Sequence, residues 1–390
     1  TLILTGDNHL DQWETFARTI SARKDTATVA VDAKIVRKDI IKNSGAEVEL
    51  FDNSNQLVAA SHCNIGQDGK LSTKLTVRKP HLWSPETPYL YRIKITYKEN
   101  RKAVDAQTVN IGIRTIRFSA EKGFELNGKT RKIKGVCLHH DLGPLGAAEN
   151  KAALIRQIKM MKEMGCDAIR TAHNMPSKMQ MDICDSLGMM VMAESFDMWI
   201  YKKCKNGYAR FFKEWADKDI TNLVKHHRNH PAIIMWSIGN EIPEQGMKGG
   251  TDIAKHLQDI CHKLDPTRPV TQGMDRAEAA IKTGFAQAMD VPGFNYRVHK
   301  YTTSIKSLPQ GFLLGSETAS TVSSRGVYKF PVIISDNATY PDGQCSSYDT
   351  EYCSWSNLPD DDWKMQDDYS WVTGEFVWTG YDYLGEPTPY

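Results

Sequence analysis

From about residue 118 onward one pattern repeats: an apolar, strand-length run, then an amphipathic, helix-length one. RKIKGVCL precedes NKAALIRQIKMMKEMG, and CDAIRTAH precedes SKMQMDICDSLG. MMVMAES precedes ARFFKEWADKDITNLVKHHRN, and AIIMWSIGNE precedes TDIAKHLQDICHKLD. RPVTQG, AMDVPGFN, GFLLGSE and, after a long loop, GEFVWTG bring the strand candidates to eight. Strands separated by helices have crossover connections, which make neighbours parallel. Eight such units predict a (β/α)8 barrel over residues 118–390. An open doubly wound sheet is the rival, but no G-x-G-x-x-G follows the first strand, so dinucleotide binding has no support. Gly165 and Gly188 stand where helices are expected to end, and Asp265-Pro266 closes a third. The chain stops about ten residues after the last strand candidate, so the eighth helix is expected to be missing.

The first 117 residues follow a different rhythm. TATVAVDAKI, AEVELFD, GKLSTKLTV and LYRIKITYKE alternate apolar and polar residues, with turn residues between them. That spacing predicts an antiparallel β-sandwich over 21–117, with QTVNIGIRTIRF as its last strand. Residues 1–20 are expected to be a linker or the remnant of a preceding domain. A start at Thr1, without Met or leader, and an end at GEPTPY suggest truncation at both ends, so compartment is unreadable. The near balance of 49 basic and 47 acidic residues gives no sign of a nucleic-acid or acidic-membrane partner. No apolar run approaches the roughly 18–20 residues a membrane span needs. None of the eight cysteines forms a C-x-x-C pair, so no zinc or redox motif is read. Cys137, Cys166 and Cys184 read as buried thiols; Cys345 and Cys353 share a polar loop and either pair or stay free.

In a barrel of this kind the working site lies at the C-terminal strand ends. There the sequence places His139, His140 and Asp141, then Arg170, His173 and Asn174, then Glu194 and Asp197. Asn240 and Glu241 end the fourth strand, Asn295 and Tyr296 the sixth, Glu317 the seventh. Trp378 ends the eighth, with Asp382 and Glu386 beyond. The opposite rim shows no such cluster. Glu241 and Glu317 are the sharpest pair, on strands that face each other across the barrel. Two opposed carboxyls flanking a glycosidic bond are a general acid and a nucleophile or base, provided their pKa values are pushed apart. The plainer alternative is that either glutamate simply pairs with an arginine such as Arg170. Asn240 offers an amide to a sugar hydroxyl. His139 and His173 bind hydroxyls, serve structure or hold a metal, though no H-E-x-x-H pattern supports the last. Trp199, Tyr296, Trp378, Tyr381 and Tyr383 are candidates to stack on a sugar face. His226, His227 and His230 are expected at a helix end, without chemistry.

These motifs together resemble glycoside hydrolase family 2, the family of β-galactosidases, β-glucuronidases and β-mannosidases. HLWSPETPYLY (81–91) is similar to its mark in an immunoglobulin-like sandwich. KIKGVCLHHDLGPLGAA, MMKEMGCDAIRTAHNMP and ICDSLGMMVMAES resemble its first barrel signature, and NHPAIIMWSIGNE (229–241) its acid/base signature. The stretches after GSETAS resemble β-galactosidase-type members from Bacteroidetes. The resemblance implies Glu241 as acid/base, Glu317 as nucleophile, and Asn240 on the sugar's 2-hydroxyl. It implies His139, His173 and Tyr296 around the sugar and Trp378 as its floor, followed by a non-proline cis peptide; Asp197 joins the sugar-binding set. The implied activity is retaining exo-hydrolysis of terminal β-D-galactosides, which needs the carboxyls about 5–5.5 Å apart. A β-glucuronidase, or a carbohydrate-binding barrel without turnover, is the alternative. No cofactor or obligatory metal is expected; the partner is a carbohydrate, and a homo-oligomer and a periplasmic or secreted location are suggested. The sequence departs from the family at Cys137-Leu138 and Ala193-Glu194, and in lacking both the opening jelly roll and the Asn-x-Lys clamp of β-glucuronidases.

Overall fold

A computed structural model describes residues 2–38, 43–336 and 340–383. Two sheets form the N-terminal sandwich. In one, Thr26–Val36 runs antiparallel to Phe16–Ala22 on one side and Lys70–Arg78 on the other. The second has the order Leu57–Cys63, Ser44–Phe51, Tyr91–Glu99, Lys102–Ile111. Alternation delivers Val29, Val31, Val48, Leu50, Ile93 and Ile95 to the space between them, all fully buried. The sandwich starts earlier than residue 21. His9–Leu10 pairs with the end of Thr26–Val36, and Phe16–Ala22 pairs along most of it, so the sandwich takes in residues from His9 on that were expected to be linker or remnant. The first sheet needs that edge, because Phe16 and Ala17 are buried against it.

The sandwich is joined to the barrel by buried polar contacts. Trp83 is fully buried among barrel residues and donates from Nε1 to the Asp185 carbonyl at 2.9 Å. Arg114 donates to the carbonyls of Pro231 and Ile233, where the fourth barrel strand begins. The hairpin Ile116–Ser119 and Gly123–Leu126 then leads into the barrel, with Phe124 buried in its core.

Eight parallel strands close the barrel: β1 (Ile133–Leu138), β2 (Ala168–Thr171), β3 (Met190–Glu194), β4 (Ile233–Asn240), β5 (Val270–Met274), β6 (Val291–Asn295), β7 (Leu313–Ala319) and β8 (Val372–Trp378). β8 pairs with β1, Ile133 opposite Gly374, so no edge is left open. Gly135 is needed in β1 because a Cβ there would lie 2.3 Å from the Phe376 ring. Outside the strands lie α1 (Lys151–Glu163), α2 (Lys178–Leu187), α3 (Phe212–His227) and α4 (Gly250–Leu264). Shorter helices follow: α5 (Ala277–Lys282), α6 (Phe285–Ala288), α7 (Tyr301–Ser304) and α8 (Pro359–Asp368). Asn150 and Ser177 cap α1 and α2 through their side chains, and Gly188 ends α2 at φ 72°. Because α8 precedes β8, it covers the β7–β8 connection; among the described residues no helix follows β8. All eight cysteines are free, Cys345 and Cys353 included.

Candidate active site

Why an apolar strand ends in Asn240-Glu241 is answered at the rim. All eight residues of β4 are buried, so the strand is a fixed post inside the barrel wall. At Glu241 the backbone turns into the left-handed region, φ 45°, and its N–H donates to the Gly273 carbonyl at 2.8 Å. Tyr296 makes the same turn after β6, at φ 55°, and donates its N–H to the Glu317 carbonyl at 2.6 Å. Such conformations cost non-glycine residues about 1–3 kcal/mol each and persist where the surroundings over-determine them.

Arg170, at the end of β2 and wholly inaccessible, organises the centre. Its Nε and Nη2 donate to the two Glu194 oxygens, each at 3.0 Å. Nη1 donates to Glu317 Oε2 at 2.8 Å, and Nη2 also donates to Asn240 Oδ1 at 2.8 Å. Burial disfavours its charge, but the carboxylates of Glu194 and Glu317 more than offset that and hold Arg170 protonated. The simple arginine pairing weighed for the glutamates therefore exists for Glu317. It does not remove Glu317 from the cluster; it fixes the carboxylate there.

The second oxygen of Glu317 accepts from the Tyr296 hydroxyl at 2.6 Å, and Ser320 Oγ donates to that hydroxyl at 2.9 Å. Burial, then the Glu317 charge, raise the Tyr296 phenol well above its ordinary value, so it acts as a donor. One residue earlier, Asn295 donates through Nδ2 to Glu241 Oε1 and to Asn240 Oδ1, each at 3.0 Å. Consecutive residues at the end of β6 thus hold one acidic side chain each. Glu241 is pushed up to about 7, first by burial and then by the negative charge of Glu317.

Asn240 spends its amide oxygen on Arg170 and Asn295, and one N–H on Asp197 Oδ1 at 3.1 Å. Asp197 is in turn held by Lys203 at 2.8 Å, so it orients Asn240. His173 Nδ1 lies 2.7 Å from Glu194 Oε1. Burial and the neighbouring Arg170 charge bring His173 down to about 3, so the ring is neutral. With Nδ1–H donating to Glu194, Nε2 is an acceptor, 4.0 Å from Glu317 Oε2. Trp378 stacks on the His173 ring at 5.4 Å and 5°, and His139 stands edge-on to both, 5.6 Å and 5.2 Å away. The Trp378–Thr379 peptide is cis, as the resemblance implied, and so is Ala172–His173, which nothing in the sequence signalled.

Glu241, Glu317, Asn240, Tyr296 and His173 therefore meet in one hydrogen-bonded cluster; His139 and Trp378 wall it, and Asp197 braces it. Other rim residues are used elsewhere. His140 Nε2 reaches the Ala147 carbonyl and Asp141 takes the Gly143 N–H, both within the β1–α1 connection. Trp199 is fully buried and donates to the Ile238 carbonyl, so it is core and no stacking platform. Tyr381 packs its hydroxyl on Met160 of α1. Glu386 lies outside the described residues. His226, His227 and His230 sit at the other end, where Trp13 stacks on His226 and Asp185 holds His230 Nδ1 at 2.6 Å. Sequence reasoning missed Ser237, Ser316 and Ser320, which support Glu194, Asn295 and Tyr296. A serine hydroxyl carries no local pattern that marks such a role. Beside the cluster, a cavity of about 730 Å3 opens between the β7–α8 connection and the chain after β8. Tyr296 and Trp378 form its inner wall, and Asp382 and Tyr383 lie further out.

The family description "Glycosyl hydrolases family 2, TIM barrel domain" matches residues 119–389, and "Glycosyl hydrolases family 2" matches 9–114. The chain belongs to glycosyl hydrolase family 2. It is 34% identical over 433 residues to a β-galactosidase of Bacteroides ovatus, spanning 99% of this chain and 50% of that protein. It is 32% identical over 412 residues to a Formosa agariphila protein provisionally named β-glucuronidase, spanning 99% of this chain and 38% of the relative. A crystal structure of a family 2 member from Bacteroides cellulosilyticus superposes with a TM-score of 0.84 at 35% identity, over 98% of this chain and 45% of its own. The chain thus spans half or less of the length of these relatives.

For this family 2 chain, loss of Arg170 is expected to endanger the folded site. Arg170→Leu leaves the buried carboxylate of Glu194 without a counter-charge. Stability is expected to fall by about 3–5 kcal/mol, read as a lower urea midpoint. Arg170→Lys keeps the charge but cannot reach both glutamates with a planar fork, and should recover only part of the loss. A midpoint unchanged by Arg170→Leu would remove the guanidinium from this role.

Proposed function

We propose that the site hydrolyses terminal β-D-galactosides with retention of anomeric configuration. The observation that carries this reading is the asymmetry of its two acids. Glu241 is held near 7 by burial and by Glu317, whereas Glu317 lies between two donors, Arg170 Nη1 and the Tyr296 hydroxyl. Glu317 attacks the anomeric carbon while Glu241 gives its proton to the leaving oxygen, and the glycosidic bond breaks. Esterification removes the negative charge of Glu317, so the Coulombic part of the rise in Glu241 disappears. Glu241 is then a carboxylate able to take a proton from water. The water oxygen attacks the anomeric carbon, Glu317 leaves, and Glu241 is protonated again. The Asn240 amide, Nε2 of His173 and the Trp378 face bind the sugar on this reading.

Galactose is favoured over glucuronate by the likeness to the Bacteroides ovatus β-galactosidase, which covers 99% of this chain at 34% identity. The relative provisionally named β-glucuronidase, at 32% identity, supplies the second reading. A panel of aryl β-galactoside, β-glucuronide, β-mannoside and β-glucoside decides it. The expected outcome is a kcat/KM for the galactoside at least about 10²-fold above the others, with the β-anomer appearing first by NMR. A preference for the glucuronide, or an inverted first product, would overturn the assignment.

A further inference from the structure

The geometry points to an outer sugar-binding subsite beside the catalytic cluster, in which Trp363 and Trp355 hold a second pyranose of an oligosaccharide substrate. The inference rests on the galactosidase reading and adds the kind of substrate. The cavity of about 730 Å3 meets the catalytic cluster at Tyr296, Ser320 and Trp378, while Glu241, Glu317, Asn240 and His173 do not line it. It therefore extends outward from the Trp378 ring, away from the two acids. Its volume lies within the ~300–1,000 Å3 typical of ligand clefts.

Three separate parts of the chain send aromatic rings into this one cavity. Trp355 comes from the β7–α8 connection, Trp363 from α8, and Trp378 and Tyr383 from the end of β8 and beyond. The helix that supplies Trp363 is turned in an unexpected sense. Its neighbour Asp362 is 1% exposed and Gln366 is 8% exposed, whereas Trp363 is 54% exposed. A helix oriented only to cover a barrel would bury the tryptophan and expose the carboxylate. Here the large apolar ring is held out at the cavity wall, where it does little for the core. Aromatic faces suit the apolar C–H face of a pyranose, and hydroxyls of Thr321 and Ser323 and the exposed Asp382 carboxylate supply hydrogen bonds to its rim. Among the described residues no lysine or arginine lines it, which suits an uncharged polyol better than an anion.

The test compares methyl β-galactoside with a trisaccharide ending in β-galactose, in the intact enzyme. Trp363→Ala is expected to lower kcat/KM for the trisaccharide about tenfold and to change that for the methyl galactoside by less than about twofold. Trp363→Phe, which keeps a ring, should restore most of the loss. A Glu317→Gln background gives a readout without turnover: calorimetry should show the trisaccharide binding about tenfold tighter than galactose, and this advantage should vanish with Trp363→Ala. Equal loss on both substrates, or no loss on either, overturns the subsite while leaving the galactosidase reading intact. Failure of the unsubstituted enzyme to cleave or bind either galactoside overturns both.

Discussion

Glu317→Gln is expected to lower turnover of an aryl β-galactoside by at least about 10⁴-fold, while the protein still folds and still binds galactose. On the proposed mechanism this carboxylate is the group that attacks the anomeric carbon, and losing it removes the covalent route altogether. The amide is close to isosteric, so the cavity keeps its shape. Its hydrogen bonds change in one place. Arg170 Nη1 and the Tyr296 hydroxyl both donate to Glu317, and an amide has an acceptor for only one of them. A loss of about 1–3 kcal/mol in stability is therefore expected alongside the catalytic loss. Glu317→Gly with azide supplies a second readout. Azide can enter the vacated space and attack from the same side as the lost carboxylate. The product is then the glycosyl azide of opposite configuration, since only one displacement takes place. Activity of Glu317→Gln within tenfold of the unsubstituted enzyme would remove Glu317 from the nucleophile's role.

Glu241→Gln is expected to produce a loss that depends on the leaving group. For an alkyl galactoside, whose oxygen needs a proton, kcat/KM should fall by about 10²–10⁴-fold. For a dinitrophenyl galactoside, whose phenolate leaves unaided, the first step should change little, and the second step should become limiting because no base activates water. A burst of dinitrophenol followed by a slow steady state is the expected trace. The pH profile gives an independent check. Glu241 must carry its proton to act as the acid, and burial with the Glu317 charge holds that proton up to about 7. Activity on the alkyl galactoside should therefore be lost as pH rises through about 7, and that alkaline limb should be absent from Glu241→Gln. A limb that stays in place in the variant would assign it to another group. An equal loss on both leaving groups would deny Glu241 the proton transfer.

Much of this architecture was legible from local pattern. The switch from period-two alternation before residue 118 to strand–helix repeats after it separates sandwich from barrel, and eight closed parallel strands follow as the repeats imply. Glu241 and Glu317 were legible because each interrupts an apolar run at its C-terminal end, where a barrel has its site. The sandwich's first edge was misread because FARTISA carries few large apolar residues, and its strand state is imposed by pairing with Thr26–Val36. Trp199 was misread for the converse reason. A tryptophan near the rim looks like a platform until its ring is found fully buried, with Nε1 bonded to the Ile238 carbonyl.

By itself, then, the order of residues determined the two domains, the barrel and the pair of acids, since hydrophobic periodicity and strand ends are properties of neighbours along the chain. Only the tertiary structure decided how those acids differ. Glu241 and Glu317 are 76 positions apart in the sequence, and what separates their behaviour is which groups folding brings against each. Asn295 stands beside one; Arg170 and Tyr296 stand beside the other. Desolvation and Coulomb energy depend on distances through space, and those exist only once the barrel has closed.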